Sequence, residues 1–293
     1  MASRKGVHGF LLVLPTLLVI FGFIFFPVAY SVYLSFTDSH ALYPDYQYVG
    51  FANYPRLLGE DEFWSSAWNG TVWAVSTTVL QLVLGMGIAL LLNESFPGRG
   101  VVRGIALFPY VVPTIVTILV WKWMLNASYG TINYFLLSLG LIRDPVVFLS
   151  PQWVMVSLIV IGVWQFFPFV VISILARLQT IDLGLYEAAE IDGANVWRRF
   201  LHVTLPALRY VLFVVILLRT FFMFTKFDMP WLMSEGGGLG APIQNLPIMA
   251  FRRAFGFLQA GEAAAISVML FAMLIVFTIV YFRVFRRESE VSV

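Results

Sequence analysis

The sequence predicts an all-α polytopic membrane protein with six transmembrane helices. Three observations carry the prediction: the composition, the lengths of the apolar runs, and the distribution of Lys and Arg. The 293 residues are 60% hydrophobic and only 12% charged, with mean hydropathy +0.87. A soluble domain of this size needs more polar surface. Apolar runs at 10–36, 67–92, 104–125, 151–176, 207–232 and 261–285 each reach the length of roughly 20 residues that crosses a bilayer as a helix. They lack period-two alternation and are too long for barrel strands. Eleven Lys and Arg (4, 5, 99, 103, 177, 198, 199, 209, 283, 286, 287) fall on the N-terminal side and six (56, 122, 143, 226, 252, 253) on the other, with Arg219 inside a span. The positive-inside rule therefore puts both termini in the cytoplasm.

The elements follow in order. Arg4 and Lys5 precede the first run, which is too long for a signal-peptide core and is followed by no clean small-x-small cleavage site, so it reads as a retained span bent at Pro15 and Pro27. In the second run Trp73, Thr77 and Gln81 recur every four residues on one face, as interhelical hydrogen bonding in a membrane requires. Pro109 and Pro113 bend the third, where Trp121 and Trp123 read as interface anchors. In the fourth, Trp164 and Gln165 sit one turn before Pro168, a kink that would expose backbone carbonyls. The fifth carries Arg219, Phe222, Met223 and Lys226 on one helical stripe. Loops 37–66, 126–150 and 233–260 face outward, with short surface helices expected near 132–139 and 248–257 and a flexible turn at Gly236-Gly237-Gly238. The whole of 1–293 reads as a single transmembrane domain.

Several functions are excluded. A net charge of +2 supplies no basic field for nucleic acid, and the absence of cysteine removes disulfides, thiol catalysis and thiolate metal sites. His8, His40 and His202 lie far apart, without metal-ligand spacing. With no GxxxxGK[ST] loop and no acidic strand for magnesium, the chain is not expected to hydrolyse ATP or to hold a cofactor or catalytic residue of its own. Its energy must come from a partner or an ion gradient.

The most informative stretch is a polar island at about 177–209, between the fourth and fifth spans. Asp182 can cap a helix beginning near Leu183 that carries Tyr186-Glu187-Ala188-Ala189-Glu190-Ile191. Asp192-Gly193 breaks it, since glycine tolerates a left-handed turn, and Ala194 follows. Asn195 can cap a second helix bearing Trp197, Arg198 and Arg199 that stops near Leu205-Pro206. The result is an elbow on which two small alanines leave room for another protein's backbone. Glu187 and Glu190 offer carboxylates to basic partners, and Arg198 and Arg199 could pair with lipid phosphate. A solvated loop that only joins two spans has the same composition.

Glu187-Ala188-Ala189, then Asp192-Gly193-Ala194, then Leu205-Pro206 resembles the cytoplasmic signature of importer permeases of the ATP-binding cassette (ABC) type, and more narrowly the carbohydrate-uptake permeases related to the maltose and glycerol-phosphate systems. Tyr210 stands where that family often has a further proline, and Ser234-Glu235-Gly236-Gly237-Gly238 replaces its usual Thr-Gly-Gly-Pro-like turn. The resemblance implies a type I ABC importer permease fold in a bacterial cytoplasmic (inner) membrane. It implies a heterodimer with a second, homologous permease, two ATP-binding cassette ATPase subunits that hold the ATP and magnesium, and an extracytoplasmic solute-binding protein. The elbow would dock on an ATPase, and the cargo would be a sugar or oligosaccharide, neutral or anionic.

Ionisable groups inside spans are costly and often functional. Arg219, with Met223 and Lys226, is a candidate for the substrate path; the structural alternative pairs Arg219 with Asp228 or with an acid of another subunit and lets Lys226 snorkel. Trp164, Gln165 and Gln81 are further candidates. The rival readings are a permease of the same architecture for an amino acid, polyamine or phosphate, an ion-coupled secondary transporter, and a membrane enzyme. The secondary transporter calls for buried acids at mid-membrane, of which the spans are nearly free, and the enzyme for a cluster of acids or histidines at one membrane face, of which none is evident.

Overall fold

The computed structural model describes residues 12–43, 45–234 and 243–291, so the triple-glycine turn at 236–238 lies outside it. The described chain is helical, with two isolated bridges, Thr37 to Tyr48 and His40 to Tyr43. Five helices are long and apolar enough to cross a membrane: α1 (Leu12–Leu34), α3 (Asp61–Asn93), α7 (Val154–Leu178), α9 (Val196–Phe224) and α12 (Ala260–Val291, apolar to Phe285). The bent pair α4 (Arg99–Val111) and α5 (Thr114–Met124) brings the number to six when counted as one broken span. The remaining helices are short: α2 (Asn53–Leu58), α6 (Thr131–Ser138), α8 (Leu183–Ile191), α10 (Asp228–Met233) and α11 (Leu246–Phe251).

Proline decides where these helices deform. In α1 a π-helical turn at Phe21–Phe25 precedes Pro27; the wider turn relieves the collision between the ring and the carbonyl four residues back. Pro168 is accommodated within α7 without ending it. Pro113 breaks the third span. Steric conflict with the ring drives the preceding residue out of the helical region. Val112 is accordingly extended at ψ 129°, and α4 and α5 meet at 98°.

The fifth span departs from expectation at both ends. The elbow's second helix does not stop at Leu205-Pro206. It passes through a π-helical turn at Phe200–Thr204 and continues into the span as one helix, with Pro206 in the first turn of the Leu205–Phe224 segment. A proline there follows a widened turn and interrupts no regular ladder. The span ends at Phe224, well before 232, and the chain re-forms a helix only at α10. Lys226 therefore lies beyond the helix. Likewise Trp121 is no simple interface anchor: it packs edge-on against Trp164, centroids 5.7 Å apart, whereas Trp123 is exposed. The helix expected at 248–257 is present as α11, continued by a π-helical turn at Arg252–Gly256, but it is no surface helix, since Leu246, Ile248 and Met249 are buried.

Contacts divide the chain into two compact units, 1–64 with 246–275, and 65–245 with 276–293. The first is held by an ion network at the starts of α3 and α12. Arg253 reaches Glu60, Glu62 and Glu262, and Arg56 meets Glu262 at 2.8 Å. Gly261 fits there because a Cβ would lie 2.1 Å from the Thr37 carbonyl. The second unit has two apolar clusters. One gathers Trp73, Ile118, Leu158, Ile161, Met223 and Met229, the other Leu92, Val170, Ile174, Leu178 and Leu208. Gly162 allows the Trp73 ring to lie against α7, since a Cβ would stand 2.4 Å from it.

Candidate functional site

Two sites emerge, one on the surface and one buried. The elbow is built by local chemistry alone. Asp182 Oδ1 accepts from the Gly184 N–H at 2.9 Å and caps α8. At the other end Gly193 is left-handed at φ +75°. The Gly193 N–H donates to Glu190 O (3.0 Å) and the Ala194 N–H to Ala189 O (2.9 Å), the paired bonds of a Schellman motif. Asn195 Oδ1 then accepts from the Arg198 N–H at 2.9 Å and starts α9. The Tyr186 hydroxyl shares a 3.0 Å hydrogen bond with Thr204 Oγ1, and Arg199 pairs with Glu190 at 3.4 Å, so the two arms are clasped.

This geometry sorts the signature residues. Tyr186, Ala189, Ala194 and Leu205 are half-buried and shape the turn, while Glu187, Ala188, Asp192, Gly193 and Pro206 are exposed. Sequence reasoning missed the apolar groups beside them. Leu183, Ile191, Val196 and Trp197 stand 66–87% exposed on an otherwise polar segment. Their signal was available, since four large apolar side chains in a solvated loop have nothing of their own to cover them.

The buried site lies among α3, α7 and α9. Arg219 is 3% exposed; its Nε–H donates to Gln81 Oε1 at 2.8 Å and its Nη2 contacts Met223 Sδ at 3.8 Å. Gln81 Nε2 in turn donates to Gly162 O at 3.0 Å, so one amide ties three spans. Trp73 Nε1–H donates to Met223 O at 3.0 Å. On the face Trp73, Thr77, Gln81, the first and last bond between helices as the spacing predicted, whereas the Thr77 hydroxyl turns back to Trp73 O within its own helix. Arg219 has Phe166 and Phe169 rings at 5.0 and 5.6 Å in place of a carboxylate. Asp228 is not its partner: that carboxylate pairs with Lys226 at 3.1 Å, whose Nζ also stands 4.8 Å from the Phe166 centroid. The predicted stripe is therefore split. Arg219 and Met223 face inward, Phe222 is exposed, and Lys226 joins the group from beyond the helix end. At the break of the third span, Gln165 Nε2 donates to Val112 O at 3.1 Å and to Thr114 Oγ1 at 3.4 Å, taking up a carbonyl at the bend. Trp164 beside it meets Trp121.

Residues 81–289, from mid-α3 to the end of α12 and including the elbow, match the family of binding-protein-dependent transport system inner membrane components. The trehalose/maltose transport system permease protein MalF of Thermococcus litoralis is 38% identical over 288 residues, covering 97% of this chain and 96% of the relative. The sulfoquinovosyl glycerol transport system permease protein SmoG of Agrobacterium fabrum is 34% identical over 95% of this chain and 90% of its own length. A chain of a bacterial ABC transporter involved in import of the acidic polysaccharide alginate superposes with TM-score 0.85 over 98% of this chain and 99% of its own, at 21% identity, a likeness of fold. The chain belongs to the family of binding-protein-dependent transport system inner membrane components.

Proposed function

We propose that this chain is the permease subunit of an ATP-driven, binding-protein-dependent importer that carries a sugar or oligosaccharide inward. The relatives named for trehalose, maltose and sulfoquinovosyl glycerol support the carbohydrate reading, and the fold shared with an alginate importer agrees with it. The bias of Lys and Arg supports a cytoplasmic elbow. The permease works beside a homologous partner, with ATP and magnesium held on a pair of ATPase subunits and cargo delivered by an external binding protein.

One observation carries the mechanism: a clasped, doubly capped elbow presents exposed apolar residues to water and continues without interruption into a membrane span. An ATPase covering Ile191, Val196 and Trp197 would grip the end of α9 itself. Closure of the ATPase pair then moves the span that carries Arg219 and Met223, and the cavity alternates its opening. This is a population shift driven by contacts that differ between states, with no covalent step in this chain. The test is co-purification of the complex with Ile191→Asp and Trp197→Asp variants. Both are expected to lose the ATPase subunits while the spans stay folded, and full retention would overturn the docking assignment.

A further inference from the structure

We propose that the start of α4 holds the phosphate of an anionic phospholipid, with Arg99 and Arg103 as its ligands. The inference goes beyond the transport reading and stands whatever the cargo. Arg99 and Arg103 lie one turn apart on one face of α4, which sets their Cβ atoms about 5–6 Å from each other. Both residues are half-buried, with Nε shielded from solvent, and neither guanidinium has a hydrogen-bond or ion-pair partner among the described residues. Glu94, the only acid between the end of α3 and Pro113, is exposed and pairs with neither. Two like charges set side by side and partly desolvated repel, and an anion between them relieves both costs.

The contacts of α4 fix the depth of the pair. Tyr110 packs against Phe166 and Phe169 of α7, centroids 6.5 and 6.3 Å apart, and Ala106 and Leu107 pack against the cluster of Val170, Ile174 and Leu178. The two helices therefore run antiparallel. Arg99 is as many residues from Tyr110 as Arg177 is from Phe166, so at 1.5 Å per residue the two arginines reach one level, with Arg103 a turn deeper. Arg177 is fixed there by bonds from Nε to Ala207 O (3.0 Å) and from Nη1 to Thr180 Oγ1 (3.1 Å), and adds a third positive charge. This is the side that the bias of Lys and Arg marks as cytoplasmic. The far face of the same turns says what carries the anion. Val101, Ile105 and Phe108 are 62–69% exposed, the surface of a helix that meets acyl chains. The arginine pair thus stands where acyl chain gives way to headgroup, the depth at which a phospholipid carries its phosphate and long basic side chains reach it. Dissolved phosphate would have to leave water to come so deep, and a carboxylate of a soluble subunit would have to enter the bilayer.

The experiment uses the complete complex, stripped of lipid in detergent, and measures binding of phosphatidylglycerol by native mass spectrometry, with phosphatidylethanolamine and inorganic phosphate as comparison probes. Phosphatidylglycerol is expected to bind more tightly than phosphatidylethanolamine, and inorganic phosphate is expected not to displace it. Arg103→Gln should weaken phosphatidylglycerol about 5-fold, the worth of one basic residue at an anionic surface. Arg143→Gln removes the same charge from an exposed position in another loop and should leave binding unchanged. A second measurement keeps both arginines: p-benzoylphenylalanine in place of Val102, which flanks them on α4, should capture phosphatidylglycerol on irradiation. Equal affinity for the two lipids, wild-type binding in Arg103→Gln, an equal loss in Arg143→Gln, displacement by inorganic phosphate, or capture of a protein subunit instead of lipid at position 102 would each overturn the site.

Discussion

Gly193 gives the sharpest test of the elbow. Its φ of +75° lies in the left-handed region, and nothing stands within 4 Å of a Cβ built there. A side chain at this position therefore meets no neighbour, and the whole penalty is backbone strain. That penalty is about 1–2 kcal/mol for an ordinary L-residue, less for Asn, which tolerates the conformation, and greater for a β-branched side chain. If the Schellman turn is the shape that docks, the docked fraction should fall by about 5- to 30-fold in Gly193→Ala, since each 1.4 kcal/mol is a factor of ten. The series Gly, Asn, Ala, Val should rank in that order. The assay is sugar-stimulated ATPase of the reconstituted complex, with thermal unfolding of the spans as a check on folding. Gly87→Ala is the control, because that glycine lies inside α3 with equally open space and no positive φ. Gly193→Val matching wild type would refute the claim that the left-handed turn shapes the docking surface. A fall in Gly87→Ala equal to that in Gly193→Ala would refute the assignment of the loss to strain.

Three further outcomes follow from the packing. Gly162→Ala places a methyl 2.4 Å from the Trp73 ring; the ring must move from the bond to Met223 O, and melting of the purified complex should show a loss of about 1–3 kcal/mol. Arg219→Met and Gln81→Leu should couple in a double-mutant cycle by about 1.5–3 kcal/mol, since they share a charge-assisted hydrogen bond; additive losses would mean the 2.8 Å contact contributes nothing. Glu262→Gln leaves Arg56 and Arg253 without a buried carboxylate that both reach at 2.8 Å. Arg253 keeps Glu60 and Glu62 and Arg56 is largely exposed, so the cost should be about 1–3 kcal/mol, the weakening of charge-assisted hydrogen bonds to a buried acceptor, measured as chaotrope sensitivity.

What could be read from the sequence depended on the range of the interaction. The ends of α8 and the start of α9 follow from Asp182, Gly193 and Asn195 acting on backbone groups two to five residues away, so cap chemistry alone placed the elbow. The second arm was misjudged at Pro206. Proline reads in sequence as a helix stop, while the preceding π-helical turn at Phe200–Thr204 lets the helix run on. Asp228 was considered for Arg219 because it is near in sequence; the actual partner, Gln81, is 138 residues away. Trp121 was read by residue type, and its edge contact with Trp164 depends on where the third span turns.

By itself the sequence determined that the chain spans a membrane, where its crossings lie, and that a capped polar elbow interrupts them. These follow from transfer free energy summed along a run and from hydrogen bonds closed within a few residues. The tertiary structure decided that Arg219 is held by an amide and two aromatic rings, that Gly162 makes room for Trp73, and that the third span turns through 98° beside Gln165. Those depend on which helices meet face to face. In a chain whose spans are apolar all round, hydropathy sets their depth in the bilayer but says little about which face turns toward which neighbour.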